Sequence, residues 1–201
     1  MTEREKMLKG ESYNPMDKEL IELRSEARGY CRAFNNTKNN ETDKRKSILK
    51  NLLGSRGAHS VILPKVDFDY GVNTYIGDDC FFNFNTTFLD SAEIHFGNNV
   101  FVGPNCSFYT AMHPMLSSER KYIEDENGKM YSPEFAKPIN IGNDVWLGGD
   151  ITVLGGVTIG AGTVIGAGSV VSKDIPENVF AAGNPCKVIR ELGEEDKVLF
   201  D

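Results

Sequence analysis

Residues 141–176 read IGNDVW LGGDIT VLGGVT IGAGTV IGAGSV VSKDIP, six consecutive groups of six residues. The first position of every group is aliphatic: Ile141, Leu147, Val153, Ile159, Ile165 and Val171. The fifth position is small or β-branched: Val145, Ile151, Val157, Thr163, Ser169 and Ile175. A period of six matches neither the repeat of an α-helix nor the alternation of an ordinary strand. It predicts a solenoid in which each group is one structural unit.

A triangular coil accounts for every position of this repeat. Each hexapeptide supplies one short strand and one corner, so about eighteen residues complete a coil. Stacked coils share backbone hydrogen bonds at a spacing of ~4.8 Å and bury a continuous core. The aliphatic first position and the small fifth position point inward, and Gly or Asn near a corner accepts a positive φ. We therefore predict an all-β core built as a parallel β-helix.

The same repeat extends upstream with interruptions. Large apolar residues recur six apart and resume after a two-residue shift: Tyr70, Ile76, Phe82 and Phe88, then Phe96, Val102 and Phe108. Cys80 and Cys106 fall at the small inward position and are predicted to be buried. Between 109 and 138 the phase is lost in a polar segment that carries Pro114, Gly128 and Pro133. A loop of this length, extruded from a compact domain, is typical of a functional segment.

Residues 1–58 are predicted to form an N-terminal α-helical cap. Thr2 and Glu5 fit a capping box at the start of a first helix. Asn14 is predicted to cap a second helix with Pro15 at its first position, and Thr42-Asp43 opens a third. The predicted organisation is this cap, a β-helix over residues 59–190 with the extruded loop 109–138, and a C-terminal tail over 191–201.

Composition limits the classes of partner. The net charge is −7 and the pI about 5.1, which disfavours nucleic acid or an anionic membrane, because both need a broad basic surface. No stretch approaches the ~20 apolar residues of a membrane span, and the charged start Met1–Lys6 does not resemble a secretory signal. The four cysteines include no Cys-x-x-Cys pair, so neither a disulfide framework nor a zinc knuckle is expected. We expect a reduced, cytoplasmic protein.

Together these motifs resemble the maltose and galactoside O-acetyltransferases. The resemblance rests on the six-residue repeat and on three local motifs: Thr110-Ala111-Met112-His113-Pro114, Asn143-Asp144-Val145-Trp146, and Lys173-Asp174-Ile175-Pro176 followed by Gly183-Asn184-Pro185. The helical start, with Glu3, Lys6, Met7 and Tyr13, is similar to that group as well, so nearly the whole chain is covered. The resemblance implies a left-handed coil and transfer of an acetyl group from acetyl-CoA to a sugar hydroxyl, with no metal. It also implies a homotrimer with active sites between subunits.

Acetyl transfer to a hydroxyl needs a base near neutral pKa, a donor for the oxyanion, and two aligned substrates. Histidine fits the base, and the chain has three. His59 lies where cap and coil meet, and His95 lies in a corner-like stretch that is expected to face solvent. His113 opens the one long loop, where the resemblance places the catalytic base.

The resemblance also assigns residues to the acceptor. Asn83 matches an asparagine that positions the acceptor hydroxyl, although an asparagine in a coil is often only a corner residue. Ser91 stands where the family often has a carboxylate, which leaves the sugar preference open. Asp69 and Asp17 are further acceptor candidates, with a corner role competing for Asp69 and a helix-capping role for Asp17. The expected acceptor is a sugar such as maltose, glucose or a galactoside, acetylated at its 6-hydroxyl.

A second set of residues is expected to bind acetyl-CoA. Trp146 occupies an outward position, where an indole is costly unless something covers it. The resemblance packs it against the pantetheine of CoA held by a neighbouring subunit, and the backbone N–H of Gly149 is the expected oxyanion donor. The remaining cofactor positions implied by the resemblance are Ala167, Ser172, Lys173, Lys187 and Arg190. The three basic groups among them predict a local anion site on an acidic protein.

Other functions stay open from the sequence alone. A metal-dependent carbonic anhydrase on the same coil would need His59, His95 and His113 to converge. A non-catalytic scaffold would leave the extruded loop without a role. An antibiotic or serine could replace the sugar as acceptor in the same chemistry. Direct transfer is expected rather than an acyl-enzyme, because Cys80 and Cys106 are predicted to be buried and lack a surrounding motif.

Overall fold

The computed structural model describes residues 1–198, and its N-terminal part is helical. The helices are Glu3–Leu8 (α1), Lys18–Asn35 (α2) and Thr42–Leu52 (α3). Thr2 and Glu5 form the predicted capping box of α1. Helix α2 begins later than predicted, because Asn14 accepts from the N–H of Met16 at 2.8 Å in a tight turn and Asp17 caps the helix instead. No helix within residues 1–198 is long and apolar enough to cross a membrane.

Short strands make up most of the chain after the helical cap. Within residues 1–198 they are, in chain order, Ser55–Arg56 (β1), Val61–Ile62 (β2), Val66–Phe68 (β3), Thr74–Ile76 (β4), Phe81–Phe82 (β5), Thr86–Leu89 (β6), Ile94–Phe96 (β7), Phe101–Val102 (β8), Ser107–Tyr109 (β9), Ala111–Met112 (β10), Ile123–Glu124 (β11), Met130–Tyr131 (β12), Phe135–Ala136 (β13), Ile139–Ile141 (β14), Trp146–Leu147 (β15), Thr152–Leu154 (β16), Thr158–Ile159 (β17), Val164–Ile165 (β18), Val170–Val171 (β19), Val179–Ala182 (β20) and Lys187–Glu191 (β21). A 3₁₀ turn spans Glu194–Asp196.

The strands stack into three parallel sheets, which are the faces of a triangular β-helix of about six coils. Face 1 has the order β1-β4-β7-β14-β17, and face 2 has the order β2-β5-β8-β15-β18-β20, closed by the antiparallel strand β21. Face 3 has the order β3-β6-β9-β16-β19. The chain visits the faces in the order 1, 2, 3, so three kinds of corner recur along the solenoid. This architecture confirms the predicted β-helix with its helical cap.

The hexapeptide positions behave as predicted inside the core. Every first-position and fifth-position residue between 141 and 176 is buried, as are Cys80 and Cys106. The positive φ falls on the fourth position, as in Asp144 and Gly162, rather than on the glycine at the second. The second-position glycine is required by the close stacking of neighbouring coils, because a Cβ on Gly160 would lie 2.3 Å from the backbone nitrogen of Glu177.

The early coils are longer than the repeat predicted. Phe88 pairs with Phe108, 20 residues on, whereas Ile141 pairs with Ile159, 18 residues on. The two additional residues lie at the corner between faces 3 and 1. Consequently Phe68 stacks against Phe88 in the core, and the prediction that Tyr70 fills this position was wrong. Tyr70 instead belongs to a smaller cluster formed with the cap residues Met7, Tyr13 and Leu20.

The predicted loop 109–138 leaves the same corner between β9 and β14. We call this segment the excursion. It contains two antiparallel pairs, β10 with β13 at its base and β11 with β12 nearer its tip. The cap docks on it through a bridge between Tyr13 and Glu134, whose backbones exchange hydrogen bonds of 2.9 and 3.3 Å.

Two segment limits differ from the predicted numbers. Strand β1 at Ser55 already pairs with β4, so the coil starts before residue 59. Strand β21 continues to Glu191, one residue into the predicted tail. The last part of that tail, residues 199–201, lies outside the described residues.

Candidate active site

A cavity of about 580 Å³ opens where the cap, the face-3/face-1 corner and the excursion meet. The cap contributes Pro15, Met16, Arg24 and Arg28; the corner contributes Asp69, Tyr70 and Ser91; the excursion contributes His113, Tyr122, Met130, Tyr131, Ser132 and Glu134. The longer early coils widen this corner and make room for the cavity. Three predicted site residues, Asp69, Ser91 and His113, therefore share one space.

His113 lies directly after β10, with its side chain half exposed at the cavity wall. Its Nδ1 is 3.4 Å from the carbonyl oxygen of Pro133, a position that suits an Nδ1–H donor, and in that tautomer Nε2 carries the free lone pair. Nε2 lies 4.0 Å from Oε1 of Glu134. The imidazole is thus oriented by the excursion itself, with its free lone pair available as a base.

Glu134 is held from the opposite side by the cap. The hydroxyl of Tyr13 donates to Oε2 of Glu134 at 2.8 Å, and Tyr13 is 2% exposed. Burial raises the pKa of the Tyr13 hydroxyl well above its usual range, with a smaller contribution from the Glu134 charge. A hydrogen bond from Ser91 opposes that rise in the pKa. Tyr13 therefore stays protonated and donates at neutral pH.

Two arginines of α2 line the cavity beside the corner residues. Arg28 lies 3.7 Å from a carboxylate oxygen of Asp69, and Arg24 donates to the Tyr70 hydroxyl at 2.6 Å. Burial raises the pKa of Asp69, while Arg28 and Arg24 oppose this effect. Burial raises the pKa of Tyr70 to about 12, so its hydroxyl remains protonated. The wall thus offers both donors and acceptors to a polar ligand.

A buried carboxylate supports this corner from below. Asp90 is fully buried and accepts from the N–H of Tyr70 at 2.8 Å and from the hydroxyl of Thr74 at 3.0 Å. Burial raises the pKa of Asp90 to about 7, although these hydrogen bonds favour its ionised form. The carboxylate fixes the backbone from which Asp69 and Tyr70 project.

A second group of predicted residues lies on another part of the solenoid. Asn83, Gly149 and Ala167 occupy the corner between faces 2 and 3, and Trp146 lies next to them on face 2. Asn83 accepts from the N–H of Phe84 at 2.8 Å. Within residues 1–198, the N–H of Gly149 donates to no acceptor in the backbone or the side chains. One chain alone does not bring this group to His113, which lies at a different corner.

Trp146 continues a column of apolar side chains on the outer surface of face 2. Its indole is 56% exposed, and it pairs in register with Phe101 below and Val164 above. We call this column the apolar ladder; its members are Val61, Phe81, Phe101, Trp146, Val164 and Phe180. An apolar column of this length on a solvent-facing sheet indicates a binding surface.

The remaining predicted residues are spread over the end of the solenoid. Ser172 and Lys173 are exposed at the last face-3/face-1 corner, and Lys187 is exposed on β21. Arg190 forms a bidentate pair with Asp196, at 2.5 and 2.7 Å, so its guanidinium is already engaged. Asp17 caps α2 through the N–H groups of Glu19 and Leu20, and it lies outside the lining of the His113 cavity.

The other two histidines have separate environments. His59 pairs with Asp79 at 3.1 Å, and His95 pairs with Glu93 at 2.9 Å while stacking on Tyr75. They therefore do not converge with His113, as a three-histidine metal site requires. No group of three or more His, Cys, Asp or Glu side chains within residues 1–198 is arranged to hold a metal ion.

Sequence reasoning assigned no site role to the other ten residues of the cavity wall, among them Arg24, Arg28, Tyr70 and Glu134. The arginines lie on the helix face that the apolar pattern of α2 leaves polar, a signal that does not single them out. Tyr70 was assigned to the coil core. Glu134 lies in the segment without periodicity, so only the pairing of β10 with β13 reveals its place opposite His113.

Comparison with known proteins identifies the family of this chain. Residues 138–173 match the family model described as bacterial transferase hexapeptide (six repeats). Residues 6–57 match the maltose acetyltransferase hexapeptide capping motif. The chain is 40% identical to the galactoside O-acetyltransferase of Escherichia coli K12, over 98% of this chain and 92% of the relative.

Solved structures extend the likeness to the whole fold. A maltose O-acetyltransferase from Clostridium difficile 630 superposes with a TM-score of 0.89 at 42% identity, covering 96% of this chain and 99% of the other. A galactoside acetyltransferase in complex with coenzyme A superposes with a TM-score of 0.90 at 37% identity, covering 100% and 96%. The chain belongs to the maltose and galactoside O-acetyltransferase family, and it is an acetyltransferase.

Proposed function

We propose that this acetyltransferase moves an acetyl group from acetyl-CoA to the 6-hydroxyl of a hexose or hexoside, with His113 as general base. The observation that carries the proposal is the orientation of His113. Its Nδ1 faces the Pro133 carbonyl, its Nε2 lies 4.0 Å from Oε1 of Glu134, and both residues line a cavity of about 580 Å³ with mixed polar and apolar walls. A base with this placement can take the proton of a bound hydroxyl as that hydroxyl attacks a thioester.

The reaction is a direct transfer between the two substrates. Nε2 of His113 accepts the hydroxyl proton while the hydroxyl oxygen bonds to the thioester carbon. The backbone N–H of Gly149 stabilises the resulting oxyanion. Collapse of this intermediate breaks the carbon–sulfur bond, and the CoA thiolate takes the proton from His113. Cys106 and Cys80 are unsuited to act as nucleophiles, because burial raises the pKa of Cys106 to about 11 and also raises the pKa of Cys80, which keeps both thiols protonated.

The acceptor binds in the cavity beside His113. Asp69 and Ser91 line it and provide a carboxylate and a hydroxyl to a sugar, together with the hydroxyl of Tyr70. Asn83, supplied by another subunit, holds the reacting hydroxyl from the other side. Sugar hydroxyls are well solvated in water, so each hydrogen bond adds little net energy and the affinity is expected to be weak. Asp17 caps α2 next to Met16 of the cavity wall and stays a secondary candidate for contact with the acceptor.

Acetyl-CoA binds along face 2. The exposed indole of Trp146 and its apolar neighbours suit the pantetheine chain, and the free N–H of Gly149 suits the thioester oxygen. Ala167 continues the same corner, and its small side chain leaves room for the cofactor. Ser172, Lys173 and Lys187 are exposed and suit the phosphates, whereas Arg190 joins them only when it exchanges Asp196 for a phosphate.

An acceptor panel tests the proposal directly. Purified protein is incubated with acetyl-CoA and one acceptor at a time, with maltose, glucose, a galactoside, serine or chloramphenicol, and thiol release is recorded. Acetylation of a sugar is the expected result, and mass spectrometry or NMR of the product locates the ester. Thiol release with serine or chloramphenicol alone would show that the acceptor is wrong while the acetyl-CoA half of the proposal holds.

We further propose that the active enzyme is a homotrimer. His113 and the Asn83–Gly149 group lie at different corners of one chain, so a complete site needs two chains. A threefold arrangement of prisms would bring the face-2 edge of one subunit to the His113 cavity of the next, so that the neighbouring subunit and the bound pantetheine together cover the apolar ladder. This arrangement also gives Trp146 a neighbour.

The trimer has a simple test in solution. Light scattering at micromolar concentration is expected to give three times the chain mass of 22.3 kDa. Changing the exposed Phe101 of the apolar ladder to Glu should shift the mass toward one chain and lower activity together, because a charge there opposes burial. A monomer mass for the active wild-type protein would contradict the proposal.

A cytoplasmic location is part of the proposal. All four cysteines are free and buried, and none is paired in a disulfide. Such thiols persist in a reducing compartment. Buried thiols with raised pKa values are also poor nucleophiles, which suits a structural role.

A further inference from the structure

We infer that Glu134 is a positioning residue for His113, and that Tyr13 of the cap holds its carboxylate in place. The inference deepens the proposed function, on which it rests for the catalytic role of His113. It makes the helical cap part of the catalytic machinery as well as a wall of the acceptor cavity. Neither residue was assigned a role from the sequence.

The backbone brings the three residues together. Strands β10 and β13 pair Met112 with Phe135, and His113 and Glu134 are the residues next to this pair at the open end of the ladder. On the other side of Glu134, Tyr13 closes a β-bridge with hydrogen bonds of 2.9 and 3.3 Å. Side chains opposite one another in an antiparallel pair are close enough to interact.

Tyr13 and His113 lie at different oxygens of the Glu134 carboxylate. Oε2 of Glu134 accepts from the Tyr13 hydroxyl at 2.8 Å, and Oε1 lies 4.0 Å from Nε2 of His113. Tyr13 is almost fully buried, so its hydroxyl has one fixed direction. Within residues 1–198, His113 is the only basic side chain within 4.0 Å of the Glu134 carboxylate, whereas Asp69 is paired with Arg28.

This arrangement favours the charged form of the histidine. When His113 takes the hydroxyl proton it becomes a cation, and an opposite charge at 4.0 Å lowers its energy. The distance is too long for a direct hydrogen bond, so Glu134 acts through its charge and leaves Nε2 free for the substrate. Among the ion pairs within residues 1–198, Glu134 provides the carboxylate nearest to Nε2 of His113. The other charged or titratable groups that line the cavity are Asp69, Arg24, Arg28, Tyr70, Tyr122 and Tyr131.

Glu134→Gln is the central test, because it keeps the shape and the backbone bridge and removes the charge. We expect kcat/KM to fall roughly tenfold. A factor of ten corresponds to an interaction energy between the value for two charges 4 Å apart in water and the value for the same pair near a protein surface. The acid limb of the kcat/KM profile should move to lower pH, because the protonated imidazole is no longer favoured. The NMR titration of the His113 ring in the free protein should move the same way.

The NMR readout separates this inference from the proposed function. It needs no substrate, so it reports the coupling between Glu134 and His113 even if no sugar is acetylated. Glu93→Gln is the matched control, because Glu93 pairs with His95 at 2.9 Å on the outer surface. That variant should move the His95 titration and leave both the His113 titration and kcat/KM unchanged.

Tyr13→Phe tests the second half of the inference. The variant keeps the buried ring and removes the donor to Glu134, so kcat/KM should fall in the same direction by a smaller factor. In the Glu134→Gln background it should have little further effect, because both changes act through one network. Full additivity of the two changes would overturn the role of Tyr13. A Glu134→Gln protein with a raised KM, an unchanged kcat and an unmoved His113 titration would overturn the role of Glu134.

Discussion

Replacing Phe88 with Ala is expected to destabilise the protein by about 3–5 kcal/mol, the usual cost of removing a fully buried aromatic ring. Phe88 is fully buried at the centre of the early coils. Its ring stacks on Phe68 at 4.2 Å and on Phe108 at 5.4 Å, and it meets Phe82 and Phe96 at an angle. Because coils above and below rest on this ring, neighbouring side chains cannot fill the cavity without shifting the ladder.

Thermal unfolding at a fixed protein concentration measures the effect, since assembly makes the melting temperature concentration-dependent. We expect Tm to fall by roughly 6–20 °C for a chain of this length. Phe88→Leu should cost much less, because it retains most of the volume. Leu8→Ala, at a 40% exposed position on α1, serves as the control and should change Tm little. Equal melting of the Ala and Leu variants at position 88 would contradict the account of the stack.

The strict repeat is where prediction from sequence succeeded. Between 141 and 176 each hexapeptide position has its own constraint, namely a large side chain inward, a small one inward, and a corner, so the coil can be inferred from the pattern. The same counting misplaced Tyr70, because Phe68 and Tyr70 are both aromatic and a widened corner changes the step from one coil to the next. Counting the period cannot show whether the chain advances by six or by eight residues between two inward positions when both possible positions, 68 and 70, carry an aromatic residue.

Local capping signals failed for a similar reason. Asn14 and Asp17 are both good N-caps three residues apart, and the sequence does not say which one caps the helix. The structure shows Asn14 closing a turn and Asp17 capping the helix. The choice matters for function, since it places Pro15 and Met16 at the cavity and Asp17 outside it.

The candidate site was only partly predictable. His113 could be singled out because it begins the one long loop that interrupts the repeat and because it matches the position of the catalytic base in the family that the chain resembles. Glu134 could not, because its position depends on the pairing of β10 with β13 and on contact with Tyr13, which is 121 residues away in sequence. Asn83 and Trp146 were assigned through the family resemblance, yet their separation from His113 is seen only when the faces are traced in space.

Replacing His113 with Ala is expected to lower kcat by at least ~10²-fold, the usual contribution of a positioned general base. The imidazole lines the proposed acceptor cavity, with Nδ1 facing the Pro133 carbonyl and Nε2 on the side of Glu134. Its loss leaves the acceptor hydroxyl without a proton acceptor, while the proposed CoA surface on face 2 is untouched. CoA affinity, measured by calorimetry or by fluorescence of Trp146, the only tryptophan, should therefore stay near the wild-type value.

Two further measurements make this result specific to the base. His95→Ala removes an imidazole that pairs with Glu93 on the outer surface, so it should leave kcat near wild type. The His113→Ala protein should also melt near the wild-type temperature, because the side chain is half exposed and makes one long hydrogen bond. Turnover within a few-fold of wild type in His113→Ala would exclude His113 as the base. The rate enhancement would then come from Asn83, Gly149 and the alignment of the two substrates. Alignment accelerates a reaction without any protein group that removes a proton.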